Sequence, residues 1–119
     1  MTAKDITWAG GEHAFDLKIE HLRALQDKCD AGPEWLMRRL LSPQWMVDDV
    51  VHTVRLGLEG GGMDKDAARK LVRTHLEDAP ENLKPAALVA GMVLMNAVMV
   101  GDDSDDDGDE PGEASPAAA

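Results

Sequence analysis

The chain has 119 residues, of which 44% are hydrophobic, enough for one small domain with a hydrophobic core and too few for two. Its 12 Lys and Arg against 23 Asp and Glu give a formal net charge of -11. Eight of the acidic residues and none of the basic ones lie in residues 101–119, which leaves 15 acidic and 12 basic residues, a net charge of -3, in residues 1–100. The length excludes most multidomain enzymes, and the lack of clustered Lys and Arg argues against nucleic acid as a partner.

The sequence predicts a cytoplasmic protein. A single cysteine, Cys29, excludes an intramolecular disulfide, and no signal-peptide pattern opens the chain. The longest uncharged stretch, residues 85–101, has 17 residues, which is at the short edge of what spans a bilayer. It has no aromatic anchor and ends in an acidic run, so we predict a buried helix and no membrane span.

A β-hairpin is predicted at the N-terminus. Gly10 and Gly11 suit a two-residue turn, because both central positions of such a turn can require φ > 0. The cross-strand pairs of this turn are Ile6 with Phe15 and Trp8 with His13. One face of the hairpin is then apolar. Because a lone two-stranded hairpin is marginally stable in water, we expect that face to lie on helices.

Helical periodicity begins after Lys18. The first helix carries Ile19, Leu22, Leu25 and Cys29. It ends at a break that includes Gly32 and Pro33, and Pro33 suits the first position of a short second helix. The apolar residues of that second helix are Trp35, Leu36, Met37, Leu40 and Leu41.

A third helix is predicted to begin with Ser42 as N-cap and Pro43 as first helical residue. Its apolar stripe comprises Met46, Val47, Val50, Val51, Val54 and Leu58. The glycines at 60–62 are expected to end it, because glycine accepts the left-handed conformation of a helix C-terminus.

Asp64 is predicted to cap a fourth helix, which ends before Pro80. Its buried side is expected to hold Ala68, Leu71, Val72, His75 and Leu76, and its solvent side Lys65, Arg69, Lys70 and Arg73. The last helix, residues 85–100, is apolar nearly all round, which indicates a central position or a face reserved for another chain. The fold class is therefore mainly α: an N-terminal β-hairpin packed on a small bundle of four to five helices in residues 1–100, with a disordered acidic tail in residues 101–119.

The tail contains an incomplete EF-hand pattern. Asp103, Asp105, Asp107 and Gly108 match its first half, D-x-D-x-D-G. The position that requires a bidentate Glu is occupied by Ala114. The pattern therefore favours a solvated acidic tail, with at most weak and nonspecific attraction of Ca²⁺.

No pattern for catalysis or for a fixed metal is found. The four histidines lack H-x-x-x-H spacing, and Cys29 lacks a C-x-x-C partner. The side chains of Asp48 and Asp49 are expected to diverge around a helix, and His75 is expected at the edge of the core. The glycines at 60–62 lack the Lys and Ser or Thr of a phosphate-binding loop. We expect no enzyme activity, no cofactor and no metal.

The remaining candidate is a binding surface on the last helix. Met92, Met95 and Met99 occupy positions i, i+3 and i+7, where flexible, polarizable side chains suit adaptable contacts with helical partners. A core-filling role of these side chains is the alternative. Trp35 and Trp45 can anchor a core corner or an interface. The candidate partner-binding residues are Leu88, Met92, Met95, Met99, Trp35 and Trp45.

The order of these features resembles a known family. A hairpin ending in EHAFDLKIEHLRALQDKCDAGP, then WMVDDVVHTVRLGLEGGGMDKDAARKLV and an apolar final helix, is similar to the tail assembly chaperones of gene transfer agents and related tailed phages. The resemblance covers residues 5–100. Its specificity lies in order and spacing, because no segment is a catalytic motif, and the acidic tail has no counterpart in the pattern.

The resemblance implies a small helical protein of a viral or virus-derived operon that binds the tape-measure protein, a long helical rod, and keeps it soluble during tail tube assembly. The major tail protein and a second copy of the chain are further candidate partners, whereas nucleic acid and membranes are not expected. Two other functions stay open. One is a structural virion component, such as a minor tail or head-tail connector protein, and the other is a small calcium-responsive regulator.

Overall fold

A computed structural model describes residues 3–100, which form a two-stranded antiparallel sheet followed by five α-helices. The elements are β1 (Lys4–Trp8), β2 (Gly11–Phe15), α1 (Ile19–Cys29), α2 (Pro33–Leu41), α3 (Val47–Gly60), α4 (Lys65–Val72) and α5 (Leu83–Met95). A π-helical turn prolongs α4 (Arg73–Glu77), another prolongs α5 (Asn96–Val100), and a 3₁₀ turn (Pro80–Asn82) precedes α5. The predicted mainly α fold with an N-terminal hairpin is confirmed. The tail predicted at residues 101–119 lies outside the described residues.

α3 lies at the centre of the bundle. Nine of its 14 residues are buried, because it contacts α1, α4, α5 and β2. α5 packs on α2 and α3 through a face of small residues that includes Ala87, Ala90 and Gly91, which lets the helices approach closely. The opposite face of α5 is exposed. The apolar last helix therefore combines both predicted features: one side belongs to the core, and the other is left without a covering element among the described residues.

Residues 80–99 are long and apolar enough to span a membrane, judged by length and composition alone. In the fold, α5 contacts α2, α3 and β1, and its buried side includes Val93 and Leu94. These contacts place one side of the segment in the core of the bundle.

The hairpin has a different register from the predicted one. Ala9 and Gly10 form the turn and Trp8 pairs with Gly11, so the cross-strand partners are displaced by two residues. The other pairs include Lys4 with Phe15 and Ile6 with His13. Gly11 takes the positive φ, +108°, whereas Gly10 lies against the indole ring of Trp8, where a Cβ would come within 2.5 Å of a ring carbon. Because the displacement is even, each side chain keeps its predicted face. The apolar face packs on α3 and α5, as predicted.

α3 begins later than the Ser-Pro pair at 42–43 predicts. The Ser42 hydroxyl donates to the carbonyl oxygen of Arg38 at 2.7 Å, so Ser42 ends α2 and does not cap the next helix. α3 begins at Val47, where the Asp49 carboxylate accepts a hydrogen bond from the backbone N–H of Met46 at 2.8 Å. The predicted apolar stripe is correspondingly shorter, because Met46 and Val47 are exposed.

Asp49 also forms a buried ion pair. Its Oδ1 accepts a hydrogen bond from Nη2 of Arg39 at 2.7 Å, and both side chains are largely buried. The same Nη2 donates to the carbonyl oxygen of Cys29 at 3.4 Å, which ties α1, α2 and α3 together. Asp48 is exposed, so the predicted divergence of the two carboxylates is confirmed.

The C-terminal end of α3 touches the backbone of β2 and of the β2–α1 connection. A Cβ added to Gly60 would meet the carbonyl oxygen of Asp16, and one added to Gly61 would meet the carbonyl oxygen of Ala14. At the same crossing the Asp16 N–H donates to a carbonyl oxygen of α3 at 3.0 Å. The positive φ, +114°, falls at Gly62. The glycines end the helix as predicted, but Gly60 and Gly61 are required for space and not for their φ angles.

α4 begins as predicted, because the Asp64 carboxylate accepts hydrogen bonds from the N–H groups of Asp66 and Ala67 at 3.0 and 3.3 Å. Its buried residues are Ala68 and Val72, followed by Leu76 in the π-helical turn, while Leu71 and His75 are half-buried. The four predicted solvent-facing cations are all exposed. α5 begins at Leu83, two residues before the predicted start, because Pro85 fits the first turn, where its missing N–H has no intrahelical acceptor.

Candidate partner-binding surface

The outward face of α5 carries an exposed apolar surface, which we name the α5 ridge: Leu88, Met92, Met95 and Met99. Leu88, Met92 and Met99 are 53%, 50% and 61% exposed, whereas Met95 is half-buried. Leu88 and Met92 are one helical turn apart and therefore point to the same side. Met99, in the π-helical turn after α5, extends the exposed surface toward the C-terminal end.

A groove of about 360 Å³, the hairpin groove, lies between α5 and the N-terminal strands. Ile6 and Phe15 of the hairpin and Met92 and Met95 of α5 form its apolar lining. Sequence reasoning missed the hairpin residues, because they meet α5 only in the folded chain. Met92 and Met95, two of the three methionines that the sequence predicted on one helix face, both line this groove.

A second groove of about 240 Å³, the α2–α5 groove, lies at the other end of the ridge. Leu41 and Trp45 face Leu88 there, and Lys84 supplies a charged edge. The structure therefore places Trp45 beside Leu88, two of the predicted candidates. Trp35 is exposed on α2 but lies outside both grooves. Leu41, which is also partly exposed, is a lining residue that sequence reasoning assigned only to the apolar surface of α2.

The described residues offer no alternative site for metal chemistry. No group of three or more His, Cys, Asp or Glu within residues 3–100 is placed to hold a metal ion. The D-x-D-x-D-G pattern at 103–108 lies outside the described residues. His75 is half-buried at the edge of the core, where its ring meets the indole of Trp8 edge-on at a centroid distance of 6.1 Å.

Cys29 has the surroundings of an unreactive thiol. Burial and, after it, the nearby Asp49 carboxylate raise the pKa of Cys29 from 9.0 to about 12. The Sγ–H donates to the backbone carbonyl oxygen of Asp48 at 3.8 Å. Because the thiolate is the nucleophilic form, this environment disfavours covalent chemistry at Cys29.

We expect alkylation of Cys29 by iodoacetamide at about pH 8 to be roughly 1000-fold slower in the native protein than in the urea-unfolded chain, because that is the ratio of thiolate fractions at the two pKa values. A raised folded-state pKa also stabilises the fold below pH 9, and this contribution is lost as the pH rises from about 9 toward 12. Mass spectrometry of timed, quenched samples measures the rates. Equal rates in the two states would contradict the burial of this thiol.

Comparison with known proteins assigns the family. A family model described as phage tail tube protein, GTA-gp10, matches residues 2–96. The chain belongs to this family. No curated protein and no solved structure matches it. The resemblance to phage and gene transfer agent tail proteins is therefore confirmed at the level of the family, and the matched region contains the hairpin and all of α1 to α5. The family description names a component of the phage tail and not an enzyme.

Proposed function

We propose that this GTA-gp10 family protein is a tail assembly chaperone, which binds the tape-measure protein in the cytoplasm and keeps it soluble while the tail tube forms. The α5 ridge is the observation that carries the proposal. It presents three large apolar side chains to solvent on a helix whose other side is locked into the core. Contiguous exposed apolar surface on a small protein marks an interaction site.

The shape of the surface suits a helical partner. An amphipathic helix lays its apolar stripe into a groove, with anchors at i, i+3, i+4 and i+7. The hairpin groove and the α2–α5 groove offer two such receiving sites along one helix. Methionine side chains adapt to different shapes at low cost, which suits a partner that must later be released. A long helical rod with repeated apolar stripes fits this description.

The two parts of the chain have separate proposed roles. Residues 1–100 carry the binding surface, and the acidic segment 101–119 keeps complexes apart by mutual repulsion, since it adds eight negative charges. The major tail protein and a second copy of the chain are further proposed partners for the same ridge, because they are the other surfaces present during tube assembly.

Replacing Leu88 and Met92 together by Asp is expected to weaken the complex with the tape-measure protein by at least about 100-fold in Kd, because each buried apolar side chain contributes roughly 1.5 kcal/mol or more. Both side chains are about half exposed, so the variant should fold. Co-expression with the tape-measure gene, followed by measurement of the soluble fraction, tests this. Met95 is left unchanged, since it also packs on the core.

Ile19→Asp is the matched control. Ile19 is an equally exposed apolar residue, at 60%, but lies at the start of α1 and lines neither groove. It should leave tape-measure solubility unchanged. The proposal would be contradicted if a folded Leu88→Asp/Met92→Asp variant kept as much tape-measure protein soluble as the unaltered chain does.

A structural role in the tail is the second candidate, and the family description favours it, because it names a tail tube protein. The two roles differ in whether the protein stays in the particle. Quantitative mass spectrometry of purified particles separates them. Stoichiometric retention supports the structural role, and depletion supports the chaperone.

A further inference from the structure

α4 concentrates positive charge in an otherwise acidic protein. Residues 65–73 of α4 and its π-helical turn hold four exposed cations, Lys65, Arg69, Lys70 and Arg73, against one exposed carboxylate, Asp66. Within the described part of the chain, none of them forms an ion pair within 4.0 Å. The overall composition indicated no clustered Lys and Arg, but the fold brings one more cation, Arg55 of α3, beside those of α4.

A pocket of about 190 Å³ forms where α4 meets α3. We name it the cationic pocket, and its polar lining consists of His52, Arg55, Arg69, Arg73 and Glu77. Arg55 is held by Glu59 at 2.8 Å, whereas Arg69 and Arg73 form no ion pair within 4.0 Å with any described residue. Glu77 contributes the one carboxylate of the lining, so the two guanidinium groups leave the pocket with a net positive charge. Burial and, after it, the nearby Arg55 lower the pKa of His52. Arg69 and Arg73 can therefore bind a carboxylate there, since guanidinium groups bind carboxylates in a bidentate manner.

The chain itself supplies a matching ligand. Residues 102–113 contain all eight acidic residues of the C-terminal segment and no basic residue. Glu113, the last of them, is 13 residues beyond Val100 and can lie up to about 43 Å from it. The described structure measures 46 × 26 × 22 Å, so an extended segment of that length can reach most of its surface, α4 included. Covalent attachment also gives the segment an effective concentration on the order of 1 mM.

We propose that the acidic segment 102–113 binds intramolecularly to the cationic pocket and to the exposed cations of α4. The segment covers the cationic face of α4 and so denies it to other polyanions such as nucleic acid. Four cations offset only part of its eight negative charges, so the repulsion between complexes proposed above is retained. This inference does not rest on the proposed function, because the α5 ridge takes no part in the contact.

Paramagnetic relaxation enhancement in the full-length chain tests the contact. A nitroxide is attached at Ser115→Cys in a Cys29→Ser background, and amide signals are compared with the reduced label. We expect the amides of Arg69 and Arg73 to lose at least half of their intensity, while that of Arg23, an exposed cation on α1, stays near its reference value. Salt at 1 M should restore the lost signals, because it shortens the Debye length to about 3 Å.

Two variants and one mixture of chains serve as controls for the relaxation measurement. The double variant Arg69→Gln/Arg73→Gln should abolish the broadening around α4, whereas the control Arg23→Gln should not alter it. All three side chains are exposed, and the NMR spectrum of each variant shows whether it is folded. A mixture of spin-labelled, unenriched chains with isotope-enriched, unlabelled chains should show no broadening. Broadening in that mixture would assign the contact to a second copy and overturn the proposal. Equal broadening of α1 and α4, or none, would also overturn it.

Discussion

We expect Gly60→Ala and Gly61→Ala each to lower the free energy of unfolding by about 3 kcal/mol or more. The added methyl group would meet a backbone carbonyl oxygen, of Asp16 in one case and of Ala14 in the other. A flexible side chain could move aside, but backbone can yield only if the end of β2 or the β2–α1 connection separates from α3. That movement breaks the hydrogen bond from the Asp16 N–H to α3 and loosens the hairpin that covers the core. Urea unfolding followed by circular dichroism measures the change.

Gly32→Ala is the matched control for these substitutions. A Cβ at Gly32 meets no atom within 4 Å, and its φ of -66° is ordinary for alanine. The expected change is within about 1 kcal/mol, most of it from the weaker N-cap of α2. Similar losses for Gly32→Ala and Gly60→Ala would show that the loss comes from glycine removal in general, and would contradict the close backbone contact.

The second large effect is expected at Asp49. Asp49→Ala should cost about 3–5 kcal/mol of unfolding free energy, because it leaves the largely buried guanidinium of Arg39 without its counter-charge and removes the acceptor for the Met46 N–H. Urea unfolding again supplies the measurement. The exposed pair of Arg38 and Glu34 is the control: Glu34→Ala should change stability by less than about 0.5 kcal/mol, since solvent screens that pair.

A double variant separates the cost of the orphaned charge from the cost of lost contacts. Arg39→Met combined with Asp49→Leu removes both charges and keeps similar volume, which is often close to neutral for a buried pair. The helix cap and the hydrogen bond from Arg39 to the carbonyl oxygen of Cys29 are then lost, so we expect a deficit of about 1–2 kcal/mol relative to the unaltered chain. If the double variant loses as much unfolding free energy as Arg39→Met and Asp49→Leu lose together when made singly, an unpaired buried charge is not the reason for the loss.

Much of the fold followed from local pattern. The helix that Asp64 caps was predicted with its buried and exposed sides, because one carboxylate and a period of 3.6 residues act within one segment. The break that ends with Pro33 and the helix end at Gly60 were predicted for the same reason. The prediction of which hairpin side chains lie on the apolar face was also correct, since an even displacement of the register leaves the alternation of side chains intact.

The errors have a common physical origin in contacts between distant segments. Ser42 and Pro43 have every local feature of a helix start, yet α3 begins at Val47, because Asp49 binds the Met46 N–H and is held in place by Arg39 of the preceding helix. The hairpin turn lies at Ala9 and Gly10, one residue before the predicted position, and the Trp8 indole packs against Gly10 there. Neither of these contacts can be predicted from the local periodicity of the sequence.

The candidate surface was predicted only in part. The spacing of Met92, Met95 and Met99 indicated one helix face, but could not decide between a core stripe and an interface. That decision depended on the burial of Ala87 and Ala90, which shows that α5 turns its small side chains inward. The hairpin wall of the groove, formed by Ile6 and Phe15, lies more than 75 residues away in sequence from the methionines it faces.

By itself, the sequence determined the helical class of this tail protein, the capping and termination of most helices, and the concentration of negative charge in its last 19 residues. These are properties of composition and of neighbouring residues. Tertiary structure alone decided which side of α5 stays exposed, which glycines are needed for space, and how Arg69 and Arg73 come to lie beside Arg55. Each of these depends on the packing of segments that are far apart in the chain, where burial and close contact outweigh local preference.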